Sequence, residues 1–412
     1  MKINIKISKQ ELIFIASLVF ILIFNILFEY KKYLDFKKEN IFSVKANIVN
    51  LYTKEKFDIL KLKSKNFDFF ASINKNENIV KNDFIQATID TRNINFIAYL
   101  KGFYTKILFF DKLEKKPHIK DKIIEKIEKN HINPQIIELF STLFLATSVS
   151  KELRDIFTNY AISHVVALSG FHLVVLSFVI YWLLYFPYRF FQNIYFPYRN
   201  RKFDILLITM AILFYYLILT NIIPSLLRAF VMYCLGIYLL RSNIKILSYM
   251  TLFYTFLIII ALFPKYIFSI GFWFSIFAVF YIYLFIQYFK NYNKWFLFIF
   301  FNIWMFLIFN PIVHFYFPQT SFEQFYSIPI TIFFNIFYPL EILAHIFGAA
   351  HYFDKYIEIF LEYKFYVYEV FTPLYFYIIY LIISFISIFS KYAFIGLNIL
   401  MLGFNLYLYL LF

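Results

Sequence analysis

Ten long apolar runs constrain this chain more than any other feature: 12–28, 164–186, 204–222, 225–240, 246–263, 266–289, 295–317, 328–347, 365–389 and 392–412. A helix crosses the hydrocarbon of a bilayer with roughly 20 predominantly apolar residues. Most of the runs supply that length, and the chain as a whole is 62% hydrophobic, beyond the range of soluble globular domains. The pattern predicts an all-α polytopic membrane protein of about ten transmembrane helices. The run 225–240 is the shortest and carries Arg228. The run 12–28 reads as an uncleaved anchor, because Glu29-Tyr30-Lys31-Lys32 offers no small-residue cleavage site.

One segment breaks the pattern. Between residues 31 and 130 no apolar run reaches spanning length. This segment holds 22 Lys and Arg against 13 Asp and Glu, so +9 of the chain's net +15 lies here. Phe42 to Ala46, Phe57 to Leu62, Phe67 to Ile73 and Phe84 to Ile89 alternate in polarity and predict a small β-rich domain of about five strands. Asp121 to Lys129 reads as a charged amphipathic helix at a surface. Pro134 opens a helix through Val149 with too few apolar residues to span, so a re-entrant or interfacial position is expected. The chain thus divides into an anchor (1–30), a β-rich domain (31–130), a helical core (131–347), and a link with two further helices (348–412).

Basic residues orient the helices. Arg189, Arg199, Arg201 and Lys202 follow the first core helix, and Arg241, Lys245, Lys290 and Lys294 fall on the same side. Lys265 and Lys391 fall on the other. The basic side is expected to be cytoplasmic, which puts both termini inside and the β-rich domain outside.

The most unusual stretch is Ile162 to Leu176, ISHVVALSGFHLVVL. Two histidines, two serines and a glycine lie here at membrane depth, where lipid offers them no partners. On one unbroken helix His164 and His172 stand about 12 Å apart and cannot share a metal ion. Ser169-Gly170 between them is a natural place for a helix break or a close helix approach. Two readings stand side by side: histidines bonded into the helix packing, or polar groups lining a path.

Other chemistry is sparse. Cys234 is the single cysteine, so neither an intramolecular disulfide nor a cysteine metal cluster is expected. Glu341 and His345 are four apart on a helix, with His314 in a neighbouring run, which leaves an intramembrane metal hydrolase as one alternative, without an HExxH-like second pair to support it. A small-solute or lipid transporter with helices broken at Gly170 and Pro224 is another, without an inverted repeat behind it. No cofactor and no metal site is expected.

Residues 145–176 resemble the signature of the ComEC competence family. The matching positions are Glu152-Leu153-Arg154-Asp155-Ile156-Phe157, then His164, Ala167, Ser169, Gly170 and His172. Pro224-Ser225-Leu226-Leu227-Arg228-Ala229, Phe268 to Ser275, and Ser327-Ile328-Pro329-Ile330 resemble further family motifs in the same order. Phe96 to Ile107 is similar to the end of the family's extracytoplasmic domain, which is OB-like. The likeness runs from about residue 40 to 347. The departures are Ala161 for a usual glycine, Trp273 for a usual glutamine, a short 318–329 stretch, and no cysteine pair in the external domain. With seven histidines and no histidine-rich cluster, the metallo-β-lactamase-like nuclease domain of many members is not expected in this chain.

The resemblance implies an inner-membrane channel, not an enzyme, that passes single-stranded DNA into the cytoplasm during natural transformation. It also implies a periplasmic DNA receptor and cytosolic DNA-handling proteins as partners. The path residues expected are His164, Ser169, Gly170, His172, Pro224 and Arg228. Arg228 needs an acid, backbone carbonyls or the path itself around it, and Glu341 and Glu369 are the candidate acids. On the external domain Lys61, Lys63 and Lys65 alternate, followed by Phe67, Phe69 and Phe70. They form either a groove for a single strand or a solvated lysine face.

Overall fold

The computed structural model describes residues 9–54, 57–74, 79, 81, 83–114, 119–239 and 248–410. A helix of 29 residues, α1 (Lys9–Lys37), leads into a closed five-stranded barrel. Its strands are β1 (Ile41–Thr53), β2 (Phe57–Ser64), β3 (Asp68–Asn74), β4 (Phe84–Asp90) and β5 (Phe103–Leu113), with a short helix α2 (Phe96–Lys101) before β5. The barrel order is β1-β2-β3-β5-β4. β3 and β5 pair in parallel and every other pair is antiparallel. β1 is long enough to pair β4 with its first half and β2 with its second, and a register shift between Ile48 and Asn50 bends it between the two.

Strand alternation fills the barrel. Ala46, Ile48, Leu60, Leu62, Phe69, Ala71, Ile85, Ala87 and Ile89 all point inward and are fully buried. The last turns of α1 close one end: Tyr33 and Phe36 belong to the same core, and the Tyr33 hydroxyl donates to the Ile94 carbonyl at 3.0 Å. Gly102 turns the chain into β5 at φ 94°, where a Cβ would stand 3.1 Å from the Asp68 carbonyl oxygen.

Helices follow: α3 (Ile119–Glu128), α4 (Pro134–Leu145), α5 (Lys151–Asn159), α6 (Ser163–Val166), α7 (Gly170–Tyr195), α8 (Arg201–Leu219), α9 (Pro224–Leu239) and α10 (Tyr249–Leu262). A 3-10 turn, Pro264–Phe268, precedes α11 (Ile270–Phe289) and α12 (Lys294–Tyr316). Then come β6 (Gln319–Thr320), α13 (Ser327–Phe347), α14 (Asp354–Leu361), β7 (Tyr368–Glu369), α15 (Leu374–Ile386) and α16 (Lys391–Leu410).

Among the described residues seven helical segments are long and apolar enough to cross a membrane: α1, α6 with α7, α8, α11, α12, α13 with its leading 3-10 turn, and α16. The other three of the ten expected runs fall on shorter apolar helices. α9, α10 and α15 are shorter, with 16, 14 and 13 residues. The run 365–389 falls short because its start is extended. Tyr368-Glu369 pairs with Gln319-Thr320, and Pro373 caps α15, the residue before a proline being pushed out of the helical region. Arg241 and Lys245, used to orient the helices, and 240, 246–247 and 411–412 of the apolar runs lie outside the described residues.

The barrel sits on the helices through two polar joints. At the first, the Lys265 ammonium lies 3.0 Å from Glu29 of α1 and 5.6 Å over the Tyr99 ring, and it donates to the Asn66 carbonyl. At the second, Lys81 pairs with Glu138 of α4 at 2.6 Å and donates to the Ser148 carbonyl at 2.7 Å. The Glu138 carboxylate also accepts from the Ser150 amide at 2.8 Å, at the start of α5. Lys265 and the barrel therefore share one side of the bundle.

Candidate functional site at the α6–α7 break

The helix breaks at Ala167-Leu168-Ser169, between α6 and α7. Ser169 is extended at φ −124° and ψ 177°, and α7 restarts at Gly170. The new N-terminus is tied up locally. The Ser169 amide donates to His172 Nδ1 at 3.1 Å, and the Ser169 hydroxyl lies 3.0 Å from the same nitrogen. Because an amide can only donate, Nδ1 accepts and the ring proton lies on Nε2. That Nε2 is buried with no hydrogen-bond partner among the described residues. His172 is 1% exposed, and its ring meets Tyr338 edge-on at 4.5 Å between centroids.

The break is clamped onto the start of α9. The Ser225 hydroxyl donates to the Leu168 carbonyl at 2.6 Å, satisfying a backbone group left open by the break. One turn on, Arg228 reaches the first residue of α7. A Cβ on Gly170 would stand 3.1 Å from Arg228 Nη2 and 3.3 Å from the Ala229 Cβ. Only glycine lets the two helices approach this closely. Arg228 Nε donates to the Ser275 hydroxyl of α11 at 2.6 Å, and Nη1 lies 3.3 Å from the Met232 sulfur. Gly170, Arg228 and Ser275, from three separate sequence motifs, thus meet at one point.

Arg228 is 7% exposed and makes no ion pair with a described carboxylate. The expected pairing with Glu341 or Glu369 is corrected here. Glu341 lies further along α13 beside His345, 3.3 Å from its Nδ1, and Glu369 is exposed in β7. Both acids sit on segments that face other neighbours than α9. What surrounds the guanidinium instead is the N-terminal turn of α7, its own α9, and a serine hydroxyl. Helix N-termini carry partial positive charge, so the junction is electropositive, with no described carboxylate paired to the guanidinium.

His164 stands apart from this cluster. It is exposed on α6, with Nδ1 3.0 Å from the Ala161 carbonyl and Nε2 3.4 Å from the Thr331 hydroxyl. Pro224 opens α9. Ala161 holds a left-handed φ of 53°, a conformation that glycine adopts without strain. His314 is buried, with Nδ1 3.2 Å from the Phe317 carbonyl, away from Glu341 and His345. On the barrel, Lys61 and Lys63 lie on β2 and Lys65 in the bend beyond it, so the three do not share one strand. Lys61 lies 5.8 Å from the Phe70 ring, whereas Phe67 and Phe69 are buried in the barrel core and offer no outward face.

Two participants were not singled out by sequence reasoning: Ser225 and Ser275. The serines sit inside the quoted motifs, and their spacing from an intramembrane arginine was the available signal.

Fold and site together define a class: a bundle of apolar helices, one of them broken against a buried arginine, carrying a small β barrel. A family model described as "Competence protein" matches residues 146–405, which include the break, Arg228 and Ser275. The chain belongs to this family, the ComEC competence proteins. Neither the curated proteins nor the solved structures show a significant match.

Proposed function

We propose that the chain is an inner-membrane channel that passes single-stranded DNA into the cytoplasm during natural transformation, without cutting it. The observation that carries this reading is Arg228, a buried guanidinium with no described acid beside it, at the junction of the α7 and α9 N-termini. A buried cation without an acid favours an anion as its ligand. A strand presents one phosphate per nucleotide, and weak, successive contacts suit a ligand that must leave each site as readily as it enters. Membership of the competence family supports DNA as that ligand.

In this reading α9, α10 and α15 complete the crossings together with the seven long spans. The barrel is OB-like and lies outside, its Lys61, Lys63 and Lys65 meeting the strand first. A periplasmic receptor delivers the DNA and cytosolic proteins collect it. Arg228→Ala and Arg228→Lys test the proposal. A hydrogen bond to a charged group is worth about 1.5–3 kcal/mol, so both changes should cut transformation roughly tenfold or more at normal protein level. Lysine lacks the planar fork. Full uptake with lysine would reduce the requirement to a point charge, and full uptake with alanine would remove Arg228 from the path.

A further inference from the structure

A second buried polar cluster lies beyond the break, where the α3–α4 corner meets α13 and α14. His131 Nδ1 is 2.7 Å from the Asp354 carboxylate, and His345 Nδ1 is 2.8 Å from the Glu341 carbonyl. The remaining ring nitrogens face each other, with His131 Nε2 3.0 Å from His345 Nε2. Phe140 stacks on His131 at 4.8 Å and meets His345 at 4.6 Å, and Phe144 meets His345 at 4.8 Å.

Proton bookkeeping decides what this geometry means. A carbonyl accepts only, so His345 Nδ1 carries a proton. An ionised Asp354 accepts only, so His131 Nδ1 carries one as well. Two neutral rings would then point two lone pairs at each other across 3.0 Å. A third proton between the Nε2 atoms turns that repulsion into an N–H···N hydrogen bond of ordinary length.

We propose that His131 and His345 form a buried proton-binding site that holds one shared proton, with Asp354 as its counter-charge. The site seams the segment that follows the barrel to α13 and α14. The titratable groups facing it are Asp354 from α14 and Glu341 from α13, while α4 presents the Phe140 and Phe144 rings. Burial holds the His131 imidazole below its ordinary value and Asp354 pulls it up. The proton belongs to the hydrogen-bonded pair, not to either ring alone.

The test is ¹⁵N-histidine spectroscopy of the unaltered chain in detergent micelles. A through-hydrogen-bond N–N coupling between two ring nitrogens is expected. Its absence, or a transition metal that co-purifies and is lost in His345→Gln, would each overturn the shared proton.

Discussion

Gly170 and Arg228 are packed so closely that any side chain at position 170 must displace the guanidinium: a Cβ there would stand 3.1 Å from Nη2. The Arg228 end of this contact is flexible, but the Ala229 Cβ at 3.3 Å is fixed to the α9 backbone. Gly170→Ala should therefore destabilise by about 1–3 kcal/mol, the range of overpacked contacts. It should also lower transformation more than the loss of protein level explains, because it pushes Arg228 off Ser275. Melting temperature and uptake are measured on the same strain. Uptake that falls only in proportion to protein level would make the contact purely structural.

Ala161 offers the opposite test. Its φ of 53° costs an L-residue about 1–2 kcal/mol. Its carbonyl accepts from the Ser327 hydroxyl at 3.2 Å and lies 3.0 Å from His164 Nδ1, so the turn joins α5, α6 and α13. Ala161→Gly should raise stability by up to about 1 kcal/mol, after the glycine's extra unfolded-state entropy is deducted. Thermal unfolding in detergent measures it, and a drop in melting temperature would contradict the strain argument.

The barrel depends on the helix that precedes it. Phe36 is 2% exposed within the barrel core. Phe36→Ala should cost about 3–5 kcal/mol, and a soluble fragment beginning at Ile41 should be unstable where one beginning near Lys31 folds. Urea unfolding of the two fragments checks this; equal stability would show that the α1 turns are dispensable.

The folding fragment then serves for DNA. Each of Lys61→Ala and Lys63→Ala should weaken binding to single strands uniformly across sequences. Each should also reduce the slope of log affinity against log salt by about 0.7 for every phosphate the variant no longer neutralises. Unchanged slopes would leave the lysines as a solvated face.

What the sequence made legible follows from what each pattern senses. Period-two alternation placed the strands, and a glycine flanked by serine in an apolar run marked the break at Ser169-Gly170. The same alternation, carried through to the barrel interior, turns Phe67 and Phe69 inward, which the mere nearness of aromatics to lysines does not register. Hydropathy counted Phe365 to Thr372 toward a span, yet Pro373 keeps those residues out of α15. Contacts between distant segments left no local trace. Arg228 and Ser275 lie 47 residues apart on different helices, and nothing near Glu341 signals that its helix turns toward His131 rather than toward Arg228.

The central claim, that DNA passes the α6–α7 break, is tested most directly by trapping it there. Ser169→Cys is placed in a Cys234→Ser background, and cells are given transforming DNA that carries thiol-reactive tethers. The account predicts a DNA adduct at position 169 that blocks further uptake and is released by reductant, with no adduct when the cysteine replaces Phe178, which is exposed on the outer face of α7. Adducts formed at Lys63→Cys on the barrel but never at 169, with transformation intact, would contradict it.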